Sequence, residues 1–346
     1  MKTRPIAFSL ATLGLCLAAV QVPEVVSLAQ ESKSKTQTEE REDYVIATNL
    51  AESDEYYQAV RKLQEHRQAK TVARFSGRNL EPLFVEIKRL QPRFVTFVLR
   101  PGDIDLNLNY EILERASALD DDPFVDFAHG FITGKSPKAA LTLVENIIRA
   151  ENNPAGHPYS GVDFGPVSIE EDRAYESTQP YHGKFRMTTF QHSTKGFPDS
   201  AKDLLNGVGL ARYWGHGMPE GVCDGLTASQ AKNMDTWPAV IFGGACYTGV
   251  CGTTFDKSLG KPTCAARVIA PEESFCLNLL ASGCTGFFAA LDPDHGITAG
   301  QEMQHLMETG CELGAAMAYS YGLITLAGGE MKGKFHRLED GKPQPS

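Results

Sequence analysis

Two stretches decide how this chain reads: Val208-Gly209-Leu210-Ala211-Arg212-Tyr213-Trp214-Gly215-His216-Gly217, and Ala239-Val240-Ile241-Phe242-Gly243-Gly244-Ala245-Cys246-Tyr247-Thr248-Gly249. Each is a short apolar run, and each ends in one reactive side chain beside glycines. Runs of this kind read as strands buried on both faces, as in a parallel sheet. Thr227 to Met234, between them, reads as a short crossover helix. In open parallel sheets, ligands bind beyond the carboxyl ends of the strands. His216 and Cys246 both fall there. A thiol needs a neighbouring base to be mostly thiolate at neutral pH. Alone, a cysteine after an apolar run reads as an inert core residue; strand-His-Gly followed by strand-Ala-Cys reads as a nucleophile with its base.

Working outward, strands alternate with helices, which implies a parallel sheet with right-handed crossovers. The first α/β unit spans residues 43–150. It holds strands at Tyr44–Thr48, Arg93–Leu99 and Phe124–Ile132, and helices at Asp54–Gln68, Leu80–Leu90 and Pro137–Ala150. The turn-rich Asn152–Pro158 follows as a linker. The second unit spans residues 159–330. It adds a strand at Lys184–Gln191, helices at Asp199–Leu205, Pro271–Ala281 and Gly300–Leu323, and a strand at Gly286–Leu291 that ends on Asp292. Residues 331–346 form a polar tail.

The two stretches resemble the motifs of the gingipain-like cysteine peptidases of the caspase-type fold. Those proteins carry an apolar strand ending in His-Gly and a later one ending in Ala-Cys. Gly249, three residues after the cysteine, fits the gingipain branch. Asp122 to Phe131 is similar to the family's segment in which an acidic turn enters a strand ending in Gly-Arg, here Gly130-Phe131. The likeness covers about residues 43–330. It implies a caspase-like parallel, mixed-edge sheet flanked by helices, in two α/β subdomains. It also implies an endopeptidase in which His216 is general base and Cys246 nucleophile, with peptide or protein as substrate. The backbone N–H groups of Gly217 and Cys246 would form the oxyanion hole. Independently, Gly217 has no Cβ to block a carbonyl oxygen, and a donor there stabilises a tetrahedral intermediate.

Two acidic groups could shape specificity. Glu170-Glu171-Asp172 lies at roughly the place where basic-specific gingipains carry a pocket acid, and Asp292 ends the strand after Cys246. An acid in the first subsite favours Arg or Lys before the scissile bond. Two other readings stay open. Cys246 with Asp292 and His305 follows the residue order of α/β-hydrolases, which would make a thiol esterase. A caspase-like scaffold with a blocked pocket would be a binding module instead.

The N-terminus sets the compartment. Lys2 and Arg4 precede an apolar stretch from Ile6 to Val20, and Ser27-Leu28-Ala29 offers small residues for a signal peptidase. Residues 1–29 read as a signal peptide and residues 30–42 as a flexible lead-in, so the mature chain is expected to be exported without a stable membrane span. Losing residues 1–29 removes two of 33 basic and one of 43 acidic residues, moving the formal charge from −10 to −11. That balance argues against nucleic acid as a partner. Of eight cysteines, Cys16 leaves with the signal; with Cys246 free, six remain, enough for up to three disulfides. No cofactor is required by this chemistry. Asp120-Asp121-Asp122 offers oxygens for calcium without matching a known loop, and His216, Cys223, Cys246 and Cys251 lack the usual zinc spacing.

Overall fold

The computed structural model describes residues 42–121, 124–153, 159–167, 170–178, 186–255 and 267–291. Residues 1–29, Asp122, the expected helix at 300–323, His305, Asp292 and the polar tail lie outside them. One compact unit begins at Glu40.

Its first sheet contains β1 (Tyr44–Thr48), β2 (Val72–Arg74), β3 (Phe94–Val98) and β4 (Ala128–Ile132), ordered β2-β1-β3-β4 and parallel throughout. Helices α1 (Tyr57–Arg67), α2 (Glu81–Leu90), α3 (Leu106–Ala116) and α4 (Pro137–Asn152) alternate with these strands. α4 shows why the alternation works. Ser136 caps it by accepting the Ala139 N–H, Pro137 supplies a preset φ, and Ala140, Leu143 and Val144 bury one stripe. The expected strand at Phe124 begins only at Ala128, because Asp126 donates its N–H to the Ala116 carbonyl after α3. Short β2 and polar-faced α3 carry too little apolar periodicity to stand out in the sequence.

The second sheet has six strands: β5 (Ser160–Val167), β6 (Arg173–Thr178), β7 (Arg186–Ser193), β8 (Leu210–Trp214), β11 (Val240–Gly244) and β14 (Gly286–Phe288). Between them in the chain come a hairpin, β9 (Gly217–Met218) with β10 (Gly221–Val222), helix α5 (Ala228–Ala231), a second hairpin, β12 (Thr254–Phe255) with β13 (Arg267–Val268), and helix α6 (Phe275–Ala281). The order is β14-β11-β8-β5-β7-β6, parallel except for the antiparallel edge strand β6. This is the parallel, mixed-edge sheet with flanking helices that the sequence implied. Asp199–Leu205 is a 3-10 turn rather than an α-helix, and α6 starts at Phe275, where Ser274 accepts the Leu277 N–H. Asp163 on β5 lies directly opposite Arg212 on β8 and takes it in a two-pronged ion pair, at 3.0 and 2.5 Å. A fork of this kind adds geometric specificity to strand register.

Elements of the two sheets touch directly. Lys135 donates to Asn278 Oδ1 at 3.3 Å, and Arg149 lies over the Trp237 ring at 4.0 Å. The first sheet contains one buried titratable group, His129 on β4, packed edge-on against Phe97 and Phe131 and bonded to Asn109 Oδ1 at 3.0 Å. Burial drives its pKa down from 6.5 to about 4. Between those values the unfolded chain holds a proton that the folded chain refuses. Stability is therefore full above pH 6.5 and falls as pH drops toward 4, by about 3 kcal/mol for this group. Urea unfolding across that window is expected to give a flatter acid limb for His129→Gln than for the parent; equal slopes would show that His129 does not control it.

Candidate active site

β8 and β11 are neighbouring parallel strands, and Trp214 pairs with Gly244 at their shared end. His216 and Cys246 each lie two residues past that pair (216 − 214 and 246 − 244). Neighbouring strands run about 4.8 Å apart, so equal overhangs bring both residues to one lip of the sheet. Pairing continues past the strands, because the Gly215 N–H donates to the Gly244 carbonyl at 3.2 Å. Gly215 has φ of 143°, a left-handed conformation that L side chains rarely adopt.

Gly217 closes the contact between the two loops. A Cβ there would lie 2.3 Å from the Cys246 carbonyl oxygen and 2.9 Å from Ala245 Cβ. Only glycine lets the histidine loop seat against the cysteine backbone. The β9–β10 hairpin holds that loop from behind: Cys223 N–H donates to the His216 carbonyl at 2.7 Å, Ala228 N–H to Glu220 at 2.7 Å, and Phe275 N–H to Pro219 at 2.8 Å.

The cysteine sits on a tight turn. Tyr247 has φ of 61°, uncommon for a bulky side chain. Thr248 Oγ1 donates to the Ala245 carbonyl at 2.9 Å and accepts from the buried Tyr213 hydroxyl at 2.7 Å. Gly249 N–H donates to Ala290 at 2.8 Å, and Val250 N–H to Tyr247 at 3.1 Å. His216 is exposed and Cys246 half-buried. Tyr213 and Thr248 brace the turn that carries Cys246, and the sequence reading missed both. Tyr213 is hidden in an apolar run, and a lone threonine after a cysteine carries no pattern.

Glu170, Glu171 and Asp172 lie exposed at the start of β6. Arg173 pairs with Gln191 near the end of β7, so these acids sit at the same end of the sheet as His216. They are three strand spacings from β8, about 14 Å. Asp172 Oδ1 accepts the Ser193 N–H at 2.9 Å and caps the end of β7. Asp120 and Asp121 follow α3 on the surface. His216, Cys223, Cys246 and Cys251 do not converge: among the described residues, no group of three or more His, Cys, Asp or Glu is placed to hold a metal ion. Among those residues, too, no helix is long and apolar enough to cross a membrane.

Comparison with a solved structure gives the same architecture. The chain is similar to the complex of Porphyromonas gingivalis RgpB pro- and mature domains, at 13% identity and a TM-score of 0.54, over 80% of this chain and 72% of that one. A second solved structure, titled a structure of a protease, matches at 12% identity and a TM-score of 0.46, over 72% of this chain and 59% of that one. No curated protein matches. The model of peptidase family C25 matches residues 35–320. Fold and family match together define a cysteine-type endopeptidase, a hydrolase acting on protein or peptide. The chain belongs to peptidase family C25, the gingipain family. That membership decides against the thiol esterase.

Gly217→Ala tests the loop contact. Its methyl meets backbone, which cannot swing aside, so the two loops must separate. Peptidase activity is expected to fall at least about 100-fold, since a misplacement of about 1 Å costs that much. Thermal unfolding would confirm that the fold persists; undiminished activity would show that the contact is dispensable.

Proposed function

We propose that this peptidase is exported and works through a Cys246–His216 dyad. The observation that carries the dyad is the shared two-residue overhang past the Trp214–Gly244 pair. In this mechanism His216 takes the Cys246 proton and the thiolate attacks the scissile carbonyl carbon. The carbonyl oxygen becomes an oxyanion, stabilised by the backbone N–H groups of Gly217 and Cys246. His216 returns the proton to the leaving amine, and water then releases the acyl group from sulfur. Exposure of His216 suits a base that must meet substrate from solvent, and the Tyr213–Thr248–Ala245 chain keeps the cysteine turn from moving as charge develops.

Export is supported by Lys2 and Arg4, the apolar stretch to Val20 and the small residues Ser27 and Ala29. A preference for Arg or Lys is read from the acidic cluster Glu170-Glu171-Asp172 upstream of the His216 strand, with Asp292 as a second acid in the sequence. Glu170, Glu171 and Asp172 stand at the same end of the sheet as His216, about three strand spacings from β8.

Cys246→Ala is expected to abolish peptide hydrolysis with the fold intact. Iodoacetamide near pH 6 separates the base from other roles, because a free thiol of pKa about 8.5 is only about 0.3% thiolate there. His216→Ala is expected to slow alkylation of Cys246 about 10-fold or more; an unchanged rate would remove His216 as the base.

Subsite preference is read from matched peptides with Arg, Leu or Asp before the scissile bond. A charge-assisted bond is worth about 1.5–3 kcal/mol, so the Arg peptide is expected to turn over roughly 10- to 100-fold faster in kcat/KM. A preference for Leu or Asp would exclude an acidic pocket.

A further inference from the structure

Three cysteines that the hydrolytic chemistry does not use are gathered behind the active-site turn. Cys251, Cys276 and Cys284 are all buried in one apolar cluster. Cys251 lies five residues past Cys246 (251 − 246), at the end of the turn that carries it. Cys276 lies in the first turn of α6. The backbone brings the two segments together: Ser274 Oγ, at the head of α6, donates to the Val250 carbonyl at 2.9 Å in the protein interior. The chain then runs one residue to Cys251 on one side and two to Cys276 on the other. The Cys276 thiol is close enough to that of Cys251 to feel it electrostatically. Cys284 is differently occupied, since its sulfur is bonded to the Leu279 carbonyl at 3.3 Å.

We propose that Cys251 and Cys276 are a disulfide-forming pair that bolts the active-site cysteine turn to α6. The sequence alone allowed up to three disulfides without assigning any; the packing assigns this one. The co-reactant is a disulfide, either small-molecule or that of a thiol–disulfide oxidoreductase. One cysteine thiolate attacks it, forming a mixed disulfide and releasing the first thiol. The second cysteine attacks the mixed disulfide, the Cys251–Cys276 bond forms, and the second thiol leaves. The two cysteines lose two electrons and two protons in total, and the co-reactant disulfide becomes two thiols. Exchange takes place while the chain is folding, because the native core covers both sulfurs.

Two features favour this pair. Cross-linking positions 25 residues apart (276 − 251) removes loop-closure freedom from the unfolded chain. It also consumes the thiol nearest in sequence to Cys246, which would otherwise be the natural partner for unwanted oxidation of the nucleophile. In the reduced protein, Cys276 is held well above the ordinary thiol range by the neighbouring Cys251 thiol and by burial, and burial pushes Cys284 up to about 12. Once the core has closed, neither supplies a thiolate readily, so the folded dithiol form is slow to scramble.

An oxidising compartment belongs to the export reading, but the test does not depend on it. The full chain, carrying Cys246→Ala so that the nucleophile cannot exchange, is refolded with oxidised glutathione. It is then unfolded in urea near neutral pH with excess N-ethylmaleimide and no reductant, and its peptides are mapped by mass. The expected result is one linked pair, Cys251 to Cys276, two hydrogens lighter than its reduced form. Alkylation of both cysteines, or a link from Cys276 to Cys284, would overturn the assignment. As a second arm, reduction is expected to lower the melting temperature by about 5 °C. Cys251→Ala and Cys276→Ala, each in that background, are expected to abolish this shift. A full shift persisting in both would also overturn it. Neither readout needs peptidase activity, so failure here is distinct from failure of the dyad.

Discussion

The in-register pairing of β8 with β11 is the constraint on which the rest of the structure depends. Parallel strands leave both chain ends pointing the same way, so residues with equal overhang meet at one edge. Trp214 opposite Gly244 sets that overhang, and the Gly215 N–H bond to Gly244 carries it past the last ladder position. A shift of one residue would turn each side chain to the opposite face. His216 and Cys246 would then no longer share a lip. The Asp163–Arg212 fork guards against such a slip from the other side of β8.

Around this pairing, the interior is organised by Tyr213. Its ring meets Phe164, Phe275 and Phe287, which belong to β5, α6 and β14. The hydroxyl is a liability in such surroundings, since a buried donor without a partner costs about 1–3 kcal/mol. Thr248 removes that liability and in doing so ties the cysteine turn to the centre of the core. One hydrogen bond therefore serves both packing and position. Gly243 is part of the same arrangement: a Cβ there would lie 2.2 Å from the Tyr213 hydroxyl oxygen.

The first sheet supports the site at a distance. Its β3–α3 connection carries Pro101, and a Cβ on Gly252, just beyond the cysteine turn, would lie 2.8 Å from Pro101 Cβ. Gly252, with φ of 71°, lets the two chain segments close on each other. The exposed lip with His216 and the half-buried Cys246 thus rests on a rigid floor. Both candidate residues lie on loops, and the strands beneath hold those loops in place.

The sequence by itself determined the fold class and singled out His216 and Cys246 as candidates for the chemistry. Long apolar runs mark strands buried on both faces, and their glycine-bounded ends mark where a reactive side chain can stand clear of the sheet. β1, β3, β8 and β11 were legible for that reason, as were α1, α2 and α4 from their buried stripes. The family C25 match spans the segments that hold His216 and Cys246. What stayed hidden were the elements whose identity comes from neighbours. β5 and β6 alternate too weakly to be recognised alone, and β2 is only three residues long. Only tertiary structure decided strand order and register. Only it set Thr248 against Tyr213, Asp163 against Arg212 and Cys251 against Cys276. These partners are 35, 49 and 25 residues apart, and no local propensity encodes a contact at such a separation. Residue type says what a side chain can do; packing decides whom it meets.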